Sequence, residues 1–139
     1  MLDLFPTVCD LVGANIPGGL DGKSLKPVIE GKSAGVRDSL FLSYRDVQRA
    51  VRDSRWKLIR YPQVNITQLF DLQTDPDEIT NLADRAEHRE RLAALTAEMA
   101  RWQTELGDAA PLTFQNPQSP HWDPSQPPPM ATKKAKKKK

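Results

Sequence analysis

The chain has 139 residues, which is enough for one small domain with flexible ends and excludes two full domains. Its formal net charge of +2 depends on six lysines in the last seven residues, and without them 14 basic residues stand against 18 acidic ones. An acidic body of this kind is unsuited to neutralising phosphates, so nucleic-acid binding is expected only as non-specific contact through the lysine-rich tail. The single cysteine, Cys9, excludes an internal disulfide and any multi-cysteine metal site.

The first predicted element is a short helix close to the N-terminus. Its apolar residues recur at helical spacing, and they are Phe5, Val8, Leu11 and Val12. Gly13 is suited to the left-handed cap that ends a helix. No earlier element is available for this helix to pack on, so its partner surface is expected in sequence upstream of the chain.

Four extended segments follow, at 39–44, 47–52, 56–61 and 66–72. Each is rich in β-branched, aromatic and aliphatic residues, which are typical of strands. Asp53 and Ser54 predict a tight hairpin turn between the second and third segments. The breaks are too short for crossover helices, so we expect the four strands to form an antiparallel meander.

Two helix starts follow the strands. The first has Asp75 as a cap, Pro76 in the first helical position and Glu78 in a capping box, which predicts one turn of helix. The second is Asp84 with Glu87 three residues later, which predicts the start of a longer helix.

The longer helix carries an apolar stripe that ends at Gly107 and consists of Leu92, Leu95, Met99, Trp102 and Leu106. We expect this stripe to pack on one face of the sheet, against Val51, Leu58, Leu69 and Phe70. These elements predict an α+β fold, in which a small four-stranded antiparallel sheet is packed by a long C-terminal helix. After Pro111 the composition is rich in Pro, Gln and Ser, and it predicts a disordered tail that ends in the lysine run.

Three stretches of the chain carry a family resemblance. They are residues 3–13 with 20–25 and Gly31, residues 49–59, and residues 69–72 with Asp75-Pro76, Glu78 and Asn81-Leu82. Their order and spacing resemble the C-terminal part of the sulfatase family, within the alkaline-phosphatase-like superfamily. The resemblance implies that residues 1–37 end a missing α/β catalytic domain, that 38–110 form the sulfatase C-terminal subdomain, and that 111–139 form the disordered Pro-rich and Lys-rich tail.

The same resemblance implies a parent activity, the hydrolysis of a sulfuric ester on a sulfated carbohydrate or an aryl sulfate. The family's Cys-x-Pro-Ser-Arg motif, whose cysteine or serine becomes formylglycine, is not matched here, because Cys9 is followed by Asp10-Leu11-Val12-Gly13. We therefore expect no catalytic residue, metal ligand or cofactor in this chain, and calcium and formylglycine only in a complete sulfatase. The expected partner is the catalytic domain, and a sulfated substrate is reached only through that domain. A complete parent is expected to be exported to the periplasm, the extracellular space or a lysosome, although this chain shows no signal.

Two arginines are the candidate substrate-binding residues. Arg45 and Arg49 lie in or beside strands of a sheet that, by the resemblance, borders the active-site rim of a complete sulfatase. A guanidinium at that rim can hold an anionic sulfated sugar through paired hydrogen bonds. The alternative interpretation is an exposed sheet face that carries surface ion pairs.

Other candidate functions are weaker. His88 lies among charged residues at a helix start and His121 lies in the predicted disordered tract, so neither is expected to bind a metal. No apolar run approaches the roughly 20 residues needed to span a bilayer, so no membrane partner is expected. Two rival functions are a non-enzymatic module whose lysine tail binds nucleic acid or an acidic partner, and an interaction protein that uses the exposed side of the 92–106 helix.

Overall fold

A computed structural model describes residues 2–121 and residue 125 of the chain. The helices are α1 (Leu4–Val12), α2 (Lys26–Ile29) and α3 (Arg89–Leu106), and the strands are β1 (Leu40–Tyr44), β2 (Gln48–Arg52), β3 (Trp56–Tyr61) and β4 (Ile66–Asp71). Short 3₁₀ turns occupy Pro62–Val64 and Ala86–His88. The predicted α+β class, with one long helix after a four-stranded sheet, is confirmed.

The four strands form one antiparallel sheet in the order β1-β2-β3-β4, which confirms the predicted meander. Their register places Val51 opposite Leu58, and Leu58 opposite Leu69. In the β2–β3 turn, the carboxylate of Asp53 accepts a hydrogen bond of 2.6 Å from the backbone N–H of Trp56. The turn is thus closed by a hydrogen bond between a side chain and the backbone, which is a common role of Asp in turns.

The main core lies between α3 and one face of the sheet. Its buried side chains are Val51, Trp56, Leu58, Leu69, Leu95 and Met99. Two of the predicted contacts are wrong. Phe70 lies on the opposite face with Ala50 and Ile59, because successive residues of a strand point to opposite faces. Leu106 is 47% exposed in the last turn of α3, away from this core.

The helical turn predicted at Asp75 is also wrong, because residues 75–80 form an irregular turn. The Asp75 carboxylate accepts hydrogen bonds from the backbone N–H groups of Ile79 (3.1 Å) and Thr80 (2.8 Å), beyond the positions that a helix cap reaches. Glu78 has a left-handed backbone with φ 56°, which a right-handed helix excludes. Its carboxylate binds Lys57 at 2.6 Å instead of completing a capping box.

The segment after this turn covers the outer edge of β4. The side chain of Asn81 makes the hydrogen bonds that a neighbouring strand would make. Its side-chain oxygen accepts from the N–H of Leu69 (2.9 Å), and its amide donates to the carbonyl of Thr67 (3.1 Å). The N–H of Leu82 then donates to the carbonyl of Leu69 at 2.8 Å. These bonds satisfy backbone groups that an open sheet edge would expose.

Helix α3 begins later than predicted. It starts at Arg89, after the 3₁₀ turn at Ala86–His88, rather than at Asp84, and no side chain caps its first turn. It ends at Gly107 as predicted, with φ 65° in the left-handed cap.

The N-terminal helix is tied to the loop that follows it. Arg37 donates two hydrogen bonds to the carboxylate of Asp3, at 2.5 and 2.7 Å, and so joins the start of α1 to the segment before β1. Gly22 passes close to the carbonyl of Leu2, where an added Cβ would lie 2.1 Å from the oxygen, so only glycine fits there. The predicted helix and its Gly13 cap, with φ 71°, are confirmed.

The first part of the tail predicted as disordered makes defined contacts instead. Leu112 packs against the main core. Asn65 and Phe114 exchange two hydrogen bonds of 2.7 and 2.8 Å, and the N–H of Gln118 donates to the carbonyl of Gln63 at 2.7 Å. The lysine run at 133–139 lies outside the described residues, and the domain boundaries at 37 and 110 stay predictions.

Met99 should be the most sensitive position of this core, since it is fully buried between α3 and the sheet. We expect Met99→Ala to lower the free energy of unfolding by about 2–5 kcal/mol, through lost burial and the cavity left behind. Urea unfolding followed by circular dichroism measures this change. The matched control is Leu106→Ala on the same helix, which should cost less than about 1 kcal/mol because that side chain is half exposed. Equal losses in the two variants would contradict the described packing of α3.

Candidate functional site

Arg45 lies at the tip of the β1–β2 hairpin. Its backbone is left-handed, with φ 48°, and its side chain is exposed. The guanidinium carbon stands 5.6 Å from the ring centroid of Tyr44, which is itself 58% exposed. Within the part of the chain that the structure describes, the Arg45 guanidinium has no hydrogen-bond or ion-pair partner. The hairpin tip therefore presents an uncompensated cation next to an exposed aromatic ring.

Arg49, the other candidate, is buried and is already engaged. Its guanidinium donates to both carboxylate oxygens of Asp108, from Nε at 2.5 Å and from Nη2 at 3.0 Å. Its Nη1 donates to the backbone carbonyls of Arg45 (2.6 Å) and Gln48 (2.8 Å). A guanidinium has five N–H donors, so these bonds leave one. Substrate contact by Arg49 stays a prediction, and it would have to use that single remaining donor.

The Arg49–Asp108 pair joins the hairpin to the end of α3. Both side chains are shielded from solvent, with 6% and 19% of their surfaces exposed. The hydrogen bonds from Arg49 hold the pKa of Asp108 at about 2, below its ordinary value of 3.8, so the carboxylate stays ionised at neutral pH. Arg60 lies directly across the β2–β3 pair from Arg49 and donates a hydrogen bond of 2.7 Å to the hydroxyl of Thr67 instead.

Asp108 was not among the site residues predicted from the sequence. It follows the Gly107 cap, where an acidic residue has an adequate local explanation as part of a turn. Its partner is 59 residues away in the chain, and no periodicity or motif connects the two positions. An arginine within a predicted strand does not reveal whether its side chain is buried or which carboxylate it binds.

An open cleft of about 1400 Å³ lies at the other end of the sheet, between the segment 34–40 and α3. One of its charged lining residues is Glu98, which accepts hydrogen bonds from Arg101 and from the hydroxyl of Ser39. These bonds lower the pKa of Glu98 to about 2, with Arg101 as the larger cause. The indole N–H of Trp102 also donates to Ser39, at 2.8 Å. This network holds the start of β1 against α3, so its charges are committed to structure.

The residues present do not fit the calcium ion and formylglycine that complete sulfatases are expected to contain. Cys9 is a free, half-buried thiol on α1, outside any modification motif. Across residues 2–121 and residue 125, no group of three or more His, Cys, Asp or Glu side chains is placed to hold a metal. His88 instead packs beside Trp56, with ring centroids 5.2 Å apart.

None of the helices in the described ranges has the length and apolar character that crossing a bilayer requires.

Comparison with known proteins places the chain among sulfatases. The family described as N-sulphoglucosamine sulphohydrolase, C-terminal, matches residues 1–105. A choline-sulfatase of Rhizobium meliloti is 35% identical over 120 residues, which cover 78% of this chain and 23% of the relative. A crystal structure of a candidate sulfatase from Bacteroides thetaiotaomicron superposes with a TM-score of 0.69 at 33% identity, covering 77% of this chain and 25% of that one.

A second solved structure extends the likeness to a protein with a bound sulfated sugar. It was determined in complex with its substrate D-glucosamine-2-N,6-O-disulfate, and it superposes with a TM-score of 0.69 at 25% identity, over 79% of this chain and 25% of that one. The chain spans about a fifth of the length of the curated relatives that it matches.

The depressed pKa of Asp108 predicts how its ion pair responds to acid. Because the pKa is lower in the folded chain than the ordinary value of 3.8, the pair stabilises the fold above that value and loses this effect as the pH falls towards 2. We expect Asp108→Asn to be less stable than the wild type at pH 7, and the difference to shrink between pH 4 and pH 2. Urea unfolding at a series of pH values measures it. Asp77→Asn, at an exposed position, is the charge-matched control and should show no such convergence. A difference that stays constant down to pH 2 would contradict the ion pair.

Proposed function

The chain belongs to the N-sulphoglucosamine sulphohydrolase C-terminal family, and we propose that it forms the C-terminal part of a complete sulfuric ester hydrolase. The proposed substrate class is a sulfated carbohydrate or an aryl sulfate. The reacting groups, including formylglycine and calcium, lie in a catalytic part outside this chain. This chain contributes structure to the whole enzyme and one contact at the substrate rim.

The observation that carries this proposal is the uncovered apolar side of α1. Five of its nine residues are large apolar side chains that are between 49% and 71% exposed, namely Leu4, Phe5, Val8, Leu11 and Val12. Burying a side chain of this size contributes roughly 1.5–3 kcal/mol, so a helix with such a row is stable mainly when another surface covers it. The relatives have about four fifths of their length outside the matched region, and we propose that the corresponding part of the complete enzyme covers this row.

The proposed rim contact is Arg45. Its guanidinium is exposed and, among the described residues, has no hydrogen-bond or ion-pair partner beside its contact with the Tyr44 ring, and a guanidinium can bind two oxygens of a sulfate group at once. A relative solved with D-glucosamine-2-N,6-O-disulfate supports a substrate that carries more than one sulfate. In that arrangement the catalytic part reacts with one sulfate while Arg45 holds another. Export of the complete enzyme, as expected for an enzyme acting on external sulfated sugars, is part of the same proposal.

A direct consequence is that the isolated chain should not turn over a sulfate ester. We expect no release of sulfate from an aryl sulfate or from D-glucosamine-2-N,6-O-disulfate, even with calcium and a formylglycine-generating enzyme present. The reason is that Cys9 lies outside a modification motif, so no nucleophile of the expected kind can form. Ion chromatography of released sulfate measures this. Activity that follows the chain through every purification step would overturn the proposal.

The covering of α1 can be tested in the complete enzyme. We expect Phe5→Asp to lower the stability of the complete sulfatase by at least about 2 kcal/mol, because a charge would enter an apolar interface. The same substitution should leave the isolated chain close to wild type, since Phe5 is 54% exposed there. Ile79→Asp is the matched control, because Ile79 is 80% exposed in a loop and should tolerate the change in both settings. Thermal unfolding of the two proteins distinguishes the cases, and a tolerated Phe5→Asp in the complete enzyme would remove the main support for the proposal.

A further inference from the structure

The hairpin tip has an unusual backbone for the residue that it carries. Arg45 adopts φ 48°, a conformation that favours glycine, and it does so between strands that a glycine would join without strain. Two other described residues that are not glycine share this feature, and both have a structural account. Asn65 is a residue type that tolerates it, and Glu78 uses it to reach Lys57. Among the described residues the Arg45 guanidinium contacts only the exposed ring of Tyr44 and has no hydrogen-bond or ion-pair partner, so the strained position points to a use outside the fold.

The side chain of Arg49 holds the left-handed turn through hydrogen bonds to its backbone. The N–H of Val47 closes the turn on the carbonyl of Tyr44 at 3.1 Å. Arg49 then fixes the carbonyl of Arg45 itself at 2.6 Å, and that of Gln48 at 2.8 Å, with the two N–H groups of a single nitrogen. A planar guanidinium therefore sets the direction of the peptide that follows Arg45.

Asp108 fixes Arg49 in turn. Its two carboxylate oxygens accept the paired hydrogen bonds from the Arg49 guanidinium. They also accept hydrogen bonds from the side-chain amide of Gln103 and from the backbone N–H of Ala110, each at 3.2 Å. Gln103 belongs to α3, whose position is set by the buried core residue Met99. A continuous chain of contacts thus runs from the core through the end of α3 to the peptide of Arg45.

We propose that Arg49 and Asp108 are positioning residues that hold Arg45 in the orientation needed to bind a second sulfate of the substrate. The inference rests on the proposed function, because it assigns to Arg45 a contact with a sulfated substrate. It also gives the buried Arg49 a role without requiring that it touch the substrate. Removing the Asp108 carboxylate should then have the same effect on substrate binding as removing the Arg45 side chain.

The first experiment uses the chain as it is. Backbone amide exchange at Val47, measured by NMR, reports opening of the turn, and Asp108→Asn should accelerate it by about ten- to a hundredfold. Asp71→Asn is the matched control, because Asp71 accepts an equally bidentate fork from Arg55 at the opposite end of the sheet. It should leave exchange at Val47 unchanged. Equal acceleration in both variants would show that the Arg49–Asp108 pair only stabilises the fold as a whole, and it would overturn the inference.

The second experiment uses the complete sulfatase with D-glucosamine-2-N,6-O-disulfate and a singly sulfated substrate. Arg45→Ala should raise KM for the disulfated substrate about tenfold or more with kcat retained, and should not change KM for the singly sulfated one. Asp108→Asn should reproduce this pattern, and the double variant should add nothing further. Asp71→Asn should leave both KM values unchanged.

The outcomes separate the two proposals. If Arg45→Ala changes neither KM, the rim contact of the proposed function is wrong. If Arg45→Ala raises KM but Asp108→Asn does not, or if their effects add, the positioning role is wrong. Should Asp108→Asn fold poorly, Asp108→Glu keeps a carboxylate and Arg49→Lys removes the fork, so the first should retain more of the wild-type KM than the second. The reverse order would also overturn the inference.

Discussion

The packing of α3 across one face of the sheet is the constraint on which the rest of the structure depends. Leu95 and Met99 fill the space above Val51, Leu58 and Leu69, and this contact is the main source of burial in the described chain. It fixes the end of α3 over the β1–β2 hairpin and the start of α3 over the β2–β3 turn. The Arg49–Asp108 pair lies where the end of α3 meets the sheet, and both of its charges are shielded from water there.

Bidentate arginine–carboxylate pairs then connect segments that are distant in the chain. Arg37 binds Asp3 across 34 residues, Arg49 binds Asp108 across 59 residues, and Arg55 binds Asp71 across 16 residues. Such pairs contribute less to stability than their short distances suggest, because both charges lose water when they meet. Their geometry is nevertheless strict, since a planar fork accepts a carboxylate in few orientations. Specification of loop positions, rather than stability, is therefore the more economical account of the three pairs.

Local patterns allowed much of the fold to be predicted, and long-range contacts account for what was missed. Strand composition with short breaks identified the meander, and the glycines after α1 and α3 marked both helix ends, because these signals act within a few residues. The capping motif at Asp75 misled for the opposite reason. Glu78 instead has a left-handed backbone and pairs with Lys57, which lies in a strand 21 residues earlier, and no local rule anticipates this contact. Arg45 and Arg49 were both predicted to bind substrate. In the structure Arg45 is exposed, whereas Arg49 is buried against Asp108, and nothing in the sequence indicated that partner.

Two apolar parts of the described chain differ in how they are covered, and the contrast bears on the role of the chain. Near the β3–β4 connection, the segment after α3 folds back over the sheet. Leu112 packs on the core, and the side chain of Asn65 exchanges two hydrogen bonds with the backbone of Phe114. Along α1 no such covering segment is described, although the helix is firmly tied to its loop through Asp3 and Arg37. A helix that is held rigidly while its apolar row faces outward is organised for contact with another surface, since flexibility would defeat such a contact and exposure would otherwise be a liability. Among the described residues, the sheet is thus covered by the chain's own segments while the apolar row of α1 is not, which is the arrangement expected if the chain is one part of a larger sulfatase.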